Sequence, residues 1–373
     1  MRIYWYWPFA REEDIALALA TPGPDDTLTV SALDRPGAPF LRTERVTALP
    51  ELPEVRPVRE GSISWILSRA HTYQARARVR SRRVAGGGFD VCHVAFVNQY
   101  TDIVGLSRIA RRTNLVTTVH DVLPHRSRMP SGIQHQALAM LYRVAGTIVV
   151  HHQDVGAELM ARFDVDPARV HVVPHWVSPF RDAGDRRTLS AAHRVLFFGT
   201  LRGNKGVEVL LDAVARLGPE TGVQFHIAGR GDDDLERAVV AAAERCPNLT
   251  AEVGWITPER KAELFRAADL AVLPYTAFSS TSGVLHDAFG NHLPAVASDV
   301  GALRAGIEET GAGWVVPPGS ASELAAAIDA AFRDAEAWQR AADGAREIAI
   351  RQAPERVGAA LREVYRQAVD AGR

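Results

Sequence analysis

The sequence predicts two doubly wound α/β domains in tandem, facing a central cleft. Apolar runs of strand length alternate with segments of helical periodicity along most of the chain, and these runs are apolar on both faces, as in parallel strands covered by helices. At 373 residues, the chain is longer than one hydrophobic core usually supports. A polar, turn-rich segment at 178–193 interrupts the alternation, so we place the domains at 1–178 and 179–354.

Each predicted domain contains six expected strands. In the first domain they are RIYWYW, TLTVSA, FDVCHVAFV, NLVTTVH, GTIVVH and RVHVV. In the second they are RVLFFG, VQFHIAG, NLTAEVG, LAVLP, PAVAS and GWVVP. Because ligands of open parallel sheets bind beyond the carboxyl ends of the strands, we expect functional residues in the loops that follow these strands.

Composition and charge exclude several classes of protein. With 47% hydrophobic and 23% charged residues, the chain is globular rather than disordered or fibrous. Its net charge of −1 argues against a nucleic-acid partner. Cys92 and Cys246 are too few and too far apart for a disulfide framework or a zinc site. Charged residues follow the start closely and no apolar run approaches the about 18 residues of a membrane span, so we expect a cytoplasmic protein, either free or at the inner face of the membrane.

The loop TLRGNKG follows the strand RVLFFG and precedes a helix that starts near Val207. Gly203 and Gly206 would let the backbone approach a ligand, while Arg202, Lys205 and the helix start supply positive charge. Lys205 is one of only two lysines among the chain's 43 Lys and Arg residues, and a compact ammonium fits where a wide guanidinium does not. The loop therefore predicts a diphosphate site, with an ordinary solvated loop as the alternative.

A second predicted anion site follows the strand LAVLP. Ser282 is a good N-cap, and the Gly283 and Val284 amides would point outward from the helix start. Asp287 lies one turn further on, where its carboxylate would accept hydrogen bonds from ribose hydroxyls. The alternative is an ordinary capped helix with an exposed Asp.

Residues 194–333 resemble the nucleotide-sugar-binding domain of retaining GT-B glycosyltransferases of glycosyltransferase family 4. The motifs that carry the resemblance are FFGTLRGNKGVEVLLDAV, HIAGRG, VGWI, AADLAVLP and SGVLHDAFGNHLPAVASDVGALRAGI. The resemblance implies the GT-B fold, a nucleotide-diphosphate sugar as co-substrate and no further cofactor. It also implies that a last helix, 355–373, packs back on the N-terminal domain.

The resemblance assigns roles to individual residues. It implies diphosphate binding and catalysis for Arg202 and Lys205, phosphate binding for Gly203, Gly206, Ser282, Gly283 and Val284, ribose binding for Asp287, and nucleobase contact for Gly254, Ile256 and Arg230. Ser279 stands where the family usually has a Glu that reaches the donor sugar. The neighbouring Ser280 and Thr281 are also assigned to donor-sugar contact. Sugar contacts here would therefore lack the family's charge.

The N-terminal half matches the family more loosely, through TVHDVLPHRSR. The resemblance places His120 near the donor sugar as a catalytic residue, whereas a structural role is the alternative for a lone His at a strand end. The family's Gly-rich loop after the first strand is replaced by YWPFAREED. We interpret Trp7 and Phe9 there as acceptor contacts, and expect core packing for at least one of them.

The predicted reaction is a retaining, metal-independent glycosyl transfer. Arg202, Lys205 and the SGV helix start would stabilise the departing diphosphate, which itself takes the proton of the acceptor hydroxyl. Asp232 to Asp234, in GDDDLE, fit an N-cap and first helical turn better than a metal site. Two alternatives stay open: a nucleotide-sugar epimerase on the same fold, and a catalytically silent partner subunit.

The expected partners are the nucleotide-sugar donor and an acceptor that is a glycan, a lipid-linked molecule or a small molecule. An arginine-rich segment in the N-terminal half would suit anionic lipid headgroups or a phosphorylated acceptor, with a solvated helix face as the alternative. Its arginines are Arg69, Arg76, Arg78, Arg80, Arg82 and Arg83.

Overall fold

The protein is described by a computed structural model. It describes the whole chain except 11–13, 36–37, 55–62, 97–102, 121, 124–130, 179, 183, 278–281 and 373, and except the side chains of 63, 65, 66, 103, 104 and 131. The chain divides into two compact units. Unit 1 comprises Met1–Trp176 and Pro354–Arg373, and unit 2 comprises Val177–Ala353.

Unit 1 is built on an eight-stranded sheet of order β3-β4-β2-β1-β5-β6-β7-β8, parallel except for the pairing of β3 with β4. The strands are β1 Arg2–Tyr6, β2 Thr27–Leu33, β3 Leu41–Arg42, β4 Val46–Leu52, β5 Val91–Val94, β6 Asn114–Val119, β7 Thr147–Val150 and β8 Val170–Val172. The helices are α1 Ile15–Ala20, α2 Ile63–Gly87, α3 Ile103–Ala110, α4 Ser131–Val144, α5 Gln153–Phe163 and α13 Pro354–Ala371.

Unit 2 is built on a six-stranded parallel sheet of order β11-β10-β9-β12-β13-β14. The strands are β9 Arg194–Phe198, β10 Gln224–Gly229, β11 Leu249–Val253, β12 Leu270–Leu273, β13 Ala295–Ser298 and β14 Gly313–Val316. The helices are α6 Val207–Leu217, α7 Asp233–Arg245, α8 Pro258–Ala267, α9 Gly283–Gly290, α10 Leu303–Glu308, α11 Ala321–Arg333 and α12 Ala335–Arg351.

The predicted fold class is confirmed, and all twelve expected strands are present. Strand β4 was missed because Pro50 interrupts its sequence pattern. The structure accommodates Pro50 near the sheet edge: the register with β2 shifts just beyond its partner Ala32, and β3 pairs only with Thr47 and Ala48 on the other side. Proline lacks the N–H that a central strand needs, so this edge position tolerates it.

The arginine-rich segment lies on helix α2, and only part of it faces solvent, so the predicted lipid or phosphate contact stays a prediction for its exposed members. Arg76 and Arg80 are buried; the Arg76 Nε–H donates to the Pro53 carbonyl at 2.8 Å, and the Arg80 guanidinium lies 4.6 Å from the Tyr6 ring centroid. Arg83 forms an ion pair with Glu51. Arg78 and Arg82 are exposed, and neither forms an ion pair among the described contacts. No helix in the described part of the chain has the length and hydrophobicity to cross a bilayer.

The segment 178–193 belongs to unit 2 and contains a structural anchor. Arg187 is buried and donates from Nη1 to the Asn291 carbonyl at 2.7 Å and from Nη2 to the Phe265 carbonyl at 3.1 Å. These carbonyls lie at the carboxyl-terminal ends of α9 and α8, where helix dipoles favour a cation. Burial lowers the pKa of Arg187 to about 10, so the residue stays charged near neutral pH while it holds the two helices together.

Candidate functional site

The order of the strands in unit 2 locates a topological switch point. The chain proceeds from β9 to β10 and β11 on one side of the sheet, and then returns to pair β12 with β9 on the other side. The loops after β9 and β12 therefore lead away in opposite directions from neighbouring strand ends, the arrangement in which open parallel sheets bind ligands. Both predicted anion sites lie in these two loops.

The loop after β9 forms a single 3-10 turn, Gly203–Lys205, followed by α6. Gly206 separates the two with φ of 67°, and a Cβ atom there would lie 1.8 Å from the Pro274 carbonyl oxygen. A glycine is therefore required at 206 by the contact with the segment after β12, and its phosphate contact stays a prediction. Gly203 is exposed and has open space where a Cβ would lie, so its backbone is accessible to a ligand.

Three hydrogen bonds tie the two loops together. The Thr276 N–H donates to the Asn204 carbonyl at 3.1 Å, and the Thr276 hydroxyl donates to the Gly203 carbonyl at 3.2 Å. The Asn204 side-chain amide donates to the Ala277 carbonyl at 3.4 Å. Residues 203–204 of the first loop are therefore tied directly to residues 276–277 of the second.

Lys205 lies at the junction of the loops. Its Nζ is 3.7 Å from the ring centroid of Tyr275, and the Tyr275 hydroxyl is 3.2 Å from Ser282 Oγ at the start of α9. Burial, aided by the neighbouring charge of Arg202, lowers the pKa of Lys205 to about 8. The ammonium is thus only partly solvated and would gain from an anionic ligand. Arg202 is exposed beside it.

Ser282 occupies the N-cap position of α9 as predicted, but its side chain makes no capping hydrogen bond. Ser282 is buried, and its hydroxyl contacts the Tyr275 hydroxyl instead of the helix amides. The predicted N-cap position is therefore correct, but the capping hydrogen bond is absent. Leu285 and His286 are the first residues whose amides bond back to the Ser282 carbonyl. The Gly283 and Val284 amides precede them, and Gly283 is exposed with open space around it. A ligand anion would find two helix N-terminal donors here.

Asp287 forms an ion pair that sequence reasoning missed. Lys261 Nζ, from α8, lies 2.8 Å from Asp287 Oδ2, and both side chains are largely buried, with exposures of 13% and 17%. Lys261 also lies 5.8 Å from the ring centroid of Phe180 and 6.0 Å from that of Phe198. One sequence signal was available: Lys261 is the only other lysine besides Lys205. The predicted ribose carboxylate is therefore held in place by a cation.

The predicted nucleobase residues follow the neighbouring strands β10 and β11. Gly254 has φ of 130° and open space around it, and its N–H donates to the Gly229 carbonyl at 2.9 Å. The Arg230 guanidinium lies 5.0 Å from the ring centroid of Trp255, which is 72% exposed. Ile256 is half-buried against the core of unit 2. The structure thus brings Gly254, Arg230 and Ile256 to one edge of the sheet and adds Trp255, an exposed aromatic ring.

Two further predictions concern this unit. Ser279, Ser280 and Thr281, predicted to face the donor sugar, lie outside the described residues. Asp232 is the N-cap residue of α7, but its side chain makes no capping hydrogen bond. The Glu236 carboxylate instead accepts from the Gly231 N–H at 2.6 Å, because it reaches back over the first turn.

The residues predicted at the edge of the sheet in unit 1 divide into buried and exposed ones. Trp7 is 6% exposed and packs edge-on against Trp176, at 5.0 Å between ring centroids, which agrees with the core packing expected for at least one of Trp7 and Phe9. Phe9 is 46% exposed. His120 is half-buried, and its Nε2–H donates to the Ala95 carbonyl at 2.9 Å.

Comparisons with known proteins match both units. The family model described as "Glycosyl transferases group 1" matches residues 192–334, and the one described as "Glycosyltransferase Family 4" matches residues 14–181. Together the two matches span most of the chain.

Individual relatives are more distant. The chain is 27% identical over 239 residues to the Alpha-D-kanosaminyltransferase of Streptomyces kanamyceticus, covering 60% of this chain and 61% of that protein. It is 28% identical over 265 residues to the Phosphatidyl-myo-inositol mannosyltransferase of Mycolicibacterium smegmatis, covering 67% of this chain and 64% of that protein. The chain thus spans less than two thirds of the length of either relative.

Among solved structures, the crystal structure of Anabaena HepE in complex with UDP shares the fold. Its TM-score is 0.67 at 17% sequence identity, and the match covers 100% of this chain and 99% of that one.

Proposed function

Since the chain belongs to glycosyltransferase family 4 and has the GT-B fold, we propose that it transfers a sugar from a nucleotide-diphosphate sugar to an acceptor hydroxyl, with retention of configuration. The single observation that best supports this is the position of Lys205. Its partly desolvated ammonium lies beside Tyr275, which links it to Ser282 at the start of α9, and both loops border the switch point of the sheet.

The proposed catalysis is electrostatic. The bond between the anomeric carbon and the diphosphate oxygen breaks, and negative charge accumulates on the leaving diphosphate. Lys205, Arg202 and the amides of Gly283 and Val284 stabilise that charge, and the contact of Lys205 is the strongest because its ammonium is partly buried. The acceptor oxygen forms the new glycosidic bond on the same face, and its proton passes to the departing phosphate. These cations and amides supply the neutralisation for which other enzymes use a divalent metal ion, and no protein nucleophile is required.

The remainder of the donor would lie along the edge of the sheet in unit 2. Asp287, fixed by Lys261, would accept hydrogen bonds from the ribose hydroxyls. The base would then lie near Gly254 and Ile256, where Arg230 and Trp255 offer donors and an aromatic surface. The presence of UDP in the HepE structure supports a uridine diphosphate sugar as the first donor to test, with a guanosine diphosphate sugar as the second.

Donor turnover tests this proposal. The full chain would be incubated with UDP- and GDP-sugars, and release of the nucleoside diphosphate would be followed by chromatography. We expect release of one of them, through transfer to an added acceptor or slow hydrolysis. Conversion of the sugar without release would indicate the epimerase, and binding without any turnover would indicate the silent partner subunit. Either result would contradict the proposal.

The lowered pKa of Lys205 predicts that diphosphate binding takes up a proton. In the free protein the ammonium titrates near pH 8, and a bound diphosphate raises this pKa because it favours the charged form. Few protons are therefore taken up on binding at pH 7, where Lys205 is already charged, whereas a fraction of a proton per nucleotide is taken up near pH 9. The affinity for the diphosphate falls as the pH rises above about 8. Calorimetry of UDP or GDP at pH 9, in two buffers of different ionisation enthalpy, measures the uptake. Uptake of equal size in a Lys205→Met variant would show that another group is responsible.

The ribose contact predicts discrimination between nucleotides. The wild-type chain should bind the preferred nucleoside diphosphate about 10-fold more tightly than its 2′,3′-dideoxy form, because the Asp287 carboxylate makes charge-assisted hydrogen bonds. Asp287→Ala should reduce the difference to less than about 2-fold. Asp287→Ala leaves the ammonium of Lys261 without its carboxylate. The double variant Asp287→Ala/Lys261→Met serves as the control because it also removes that charge. Discrimination that persists in both variants would place the ribose elsewhere.

A further inference from the structure

A cavity of about 320 Å³ lies between α2 and α3 in unit 1. This volume is near the lower end of the range for small-molecule sites, roughly 300–1,000 Å³. Its lining residues are Ser81, Val84, Arg108, Ile109 and Arg112. Because α2 ends at Gly87, shortly before β5, and α3 ends at Ala110, shortly before β6, the lining lies toward the amino ends of these strands. Substrates of open parallel sheets bind at the carboxyl ends, so this cavity is a separate place in the fold.

The lining combines two cations and a hydroxyl with an apolar floor. Val84 and Ile109 form the floor and are 5% and 2% exposed, whereas Arg108 and Arg112 are exposed side chains. The Arg112 N–H donates to the Ile109 carbonyl at 2.8 Å, which holds Arg112 in a turn directly after α3. Ser81 contributes the hydroxyl from α2. Guanidinium groups bind oxyanions through paired N–H donors, so this lining suits an oxyanion that carries a small apolar group.

Positive charge is concentrated on the two helices that border the cavity. Helix α2 contains six arginines and 103–113 contains three more, and neither segment contains an Asp or a Glu. Arg83 pairs with Glu51, but neither Arg108 nor Arg112 forms an ion pair among the residues that the structure describes. The chain as a whole has a net charge of −1, so this concentration is local. Such a local excess of positive charge attracts anions to the cavity.

The surroundings of the cavity favour a soluble anion over a membrane surface. Helices that bind a membrane from the side insert exposed apolar side chains next to their cations. Leu67, an exposed apolar residue of α2, lies roughly 20 Å from Ser81 along the helix axis. The described segments 68–87 and 105–113 contain no exposed large apolar side chain. A concave site with exposed arginines and a buried apolar floor therefore fits a small ligand better than a lipid surface.

We propose that the cavity between α2 and α3 binds a soluble phosphate monoester with a small apolar group. Arg108 and Arg112 bind the phosphate oxygens, Ser81 donates a further hydrogen bond, and the apolar group contacts the floor. A phosphate monoester offers three terminal oxygens to these three partners, whereas a carboxylate offers only two. This site does not depend on the proposed glycosyl transfer, and its ligand is bound without being consumed.

Saturation-transfer NMR on the full chain tests the proposal, with phenyl phosphate as the observed ligand. Benzoate carries the same ring on a carboxylate, benzyl alcohol carries it without charge, and inorganic phosphate serves as a competitor. We expect phenyl phosphate to bind at least about 3-fold more tightly than benzoate and to be displaced by inorganic phosphate. Benzyl alcohol should show no saturable transfer. Equal binding of benzyl alcohol, or no saturable transfer to phenyl phosphate, would overturn the proposal.

Variants place the bound phosphate. Arg108→Gln/Arg112→Gln should weaken phenyl phosphate binding at least about 10-fold, because it removes two charge-assisted contacts. Arg78→Gln/Arg82→Gln is the matched control: it removes the same charge from exposed arginines of α2 outside the lining, and binding should stay within about 2-fold of the wild type. Equal weakening in both double variants would show a diffuse charge effect rather than a site. Binding that survives in Arg108→Gln/Arg112→Gln but is lost in Lys205→Met would place the phosphate at Lys205 instead.

A further variant and a lipid measurement complete the test. Ser81→Asp places a carboxylate in the cavity, where it would compete for the arginines, and it should also weaken binding at least about 10-fold. Unchanged binding in Ser81→Asp would contradict the proposal even if Arg108→Gln/Arg112→Gln failed to fold. Sedimentation with phosphatidylglycerol vesicles should not distinguish the wild type from Arg108→Gln/Arg112→Gln. Vesicle binding that requires these two arginines, without binding of phenyl phosphate, would assign the site to a lipid surface and overturn the proposal.

Discussion

Replacing Lys205 by Met is expected to lower the turnover of the nucleotide-sugar donor by about 10²- to 10³-fold. The substitution keeps the length and packing of the side chain beside Tyr275 but removes the ammonium that would stabilise the leaving diphosphate. Charge at this point matters most in the transition state, where the phosphate oxygens gain negative charge. The loss should therefore appear mainly in kcat rather than in KM.

Two controls sharpen this prediction. Arg333→Met removes one positive charge from a side chain that is 77% exposed at the end of α11, and it should leave turnover unchanged. Lys205→Arg retains the charge but brings a wide guanidinium, and it should restore at most part of the activity. Wild-type turnover in Lys205→Met, measured as nucleoside diphosphate released per minute, would remove Lys205 from the catalytic machinery.

Gly206→Ala is expected to destabilise the protein by at least about 2 kcal/mol, which corresponds to a fall in the melting temperature of roughly 4–8 °C. Two causes add: the residue has φ of 67°, and the new Cβ would lie 1.8 Å from the Pro274 carbonyl oxygen. Backbone atoms on both sides must shift, and the loops after β9 and β12 would separate. Diphosphate binding should therefore weaken together with stability.

Gly203→Ala is the matched control for this prediction. Gly203 lies three residues earlier in the same loop, and a Cβ added there would meet no atom within 4 Å beyond its chain neighbours. Its φ is not positive. The stability of this variant should stay within about 0.5 kcal/mol of the wild type. Differential scanning calorimetry compares the two variants. If Gly206→Ala had the same melting temperature as Gly203→Ala, the contact between Gly206 and Pro274 would not be tight in solution.

Much of the fold was predictable because alternation and two-sided hydrophobicity are local properties of the sequence. Strand β4 was missed because its tolerance of Pro50 depends on the short neighbour β3, which no local pattern reveals. The burial of Arg76 and Arg80 in α2 was not predictable for a similar reason. Whether a guanidinium faces water, a carbonyl or the ring of Tyr6 is decided by elements distant in the sequence.

The candidate site divides in the same way. The loops that contain Lys205 and Ser282 were found from residue type and spacing, and strand order then placed them together. Pairing of side chains was not predictable: Asp287 and Lys261 come from different helices, and the Ser282 hydroxyl faces Tyr275 rather than its own helix. The contacts between rings that follow the strands of unit 1, from Phe9 to His175, were missed because these residues lie one per strand end and only the sheet brings them together.

The central claim is that the loops after β9 and β12 bind a diphosphate, and calorimetry with paired nucleotides tests it most directly. The full chain would be titrated with UDP and UMP, GDP and GMP, ADP and AMP, and dTDP and dTMP, in the wild type and in Lys205→Met. We predict that one diphosphate binds at least about 10-fold more tightly than its monophosphate, and that Lys205→Met largely abolishes this difference, since a charge-assisted phosphate contact is worth at least about 1.4 kcal/mol. If no nucleotide binds, or if diphosphate and monophosphate bind the wild type equally well, the loops do not form a diphosphate site and the proposed function is wrong.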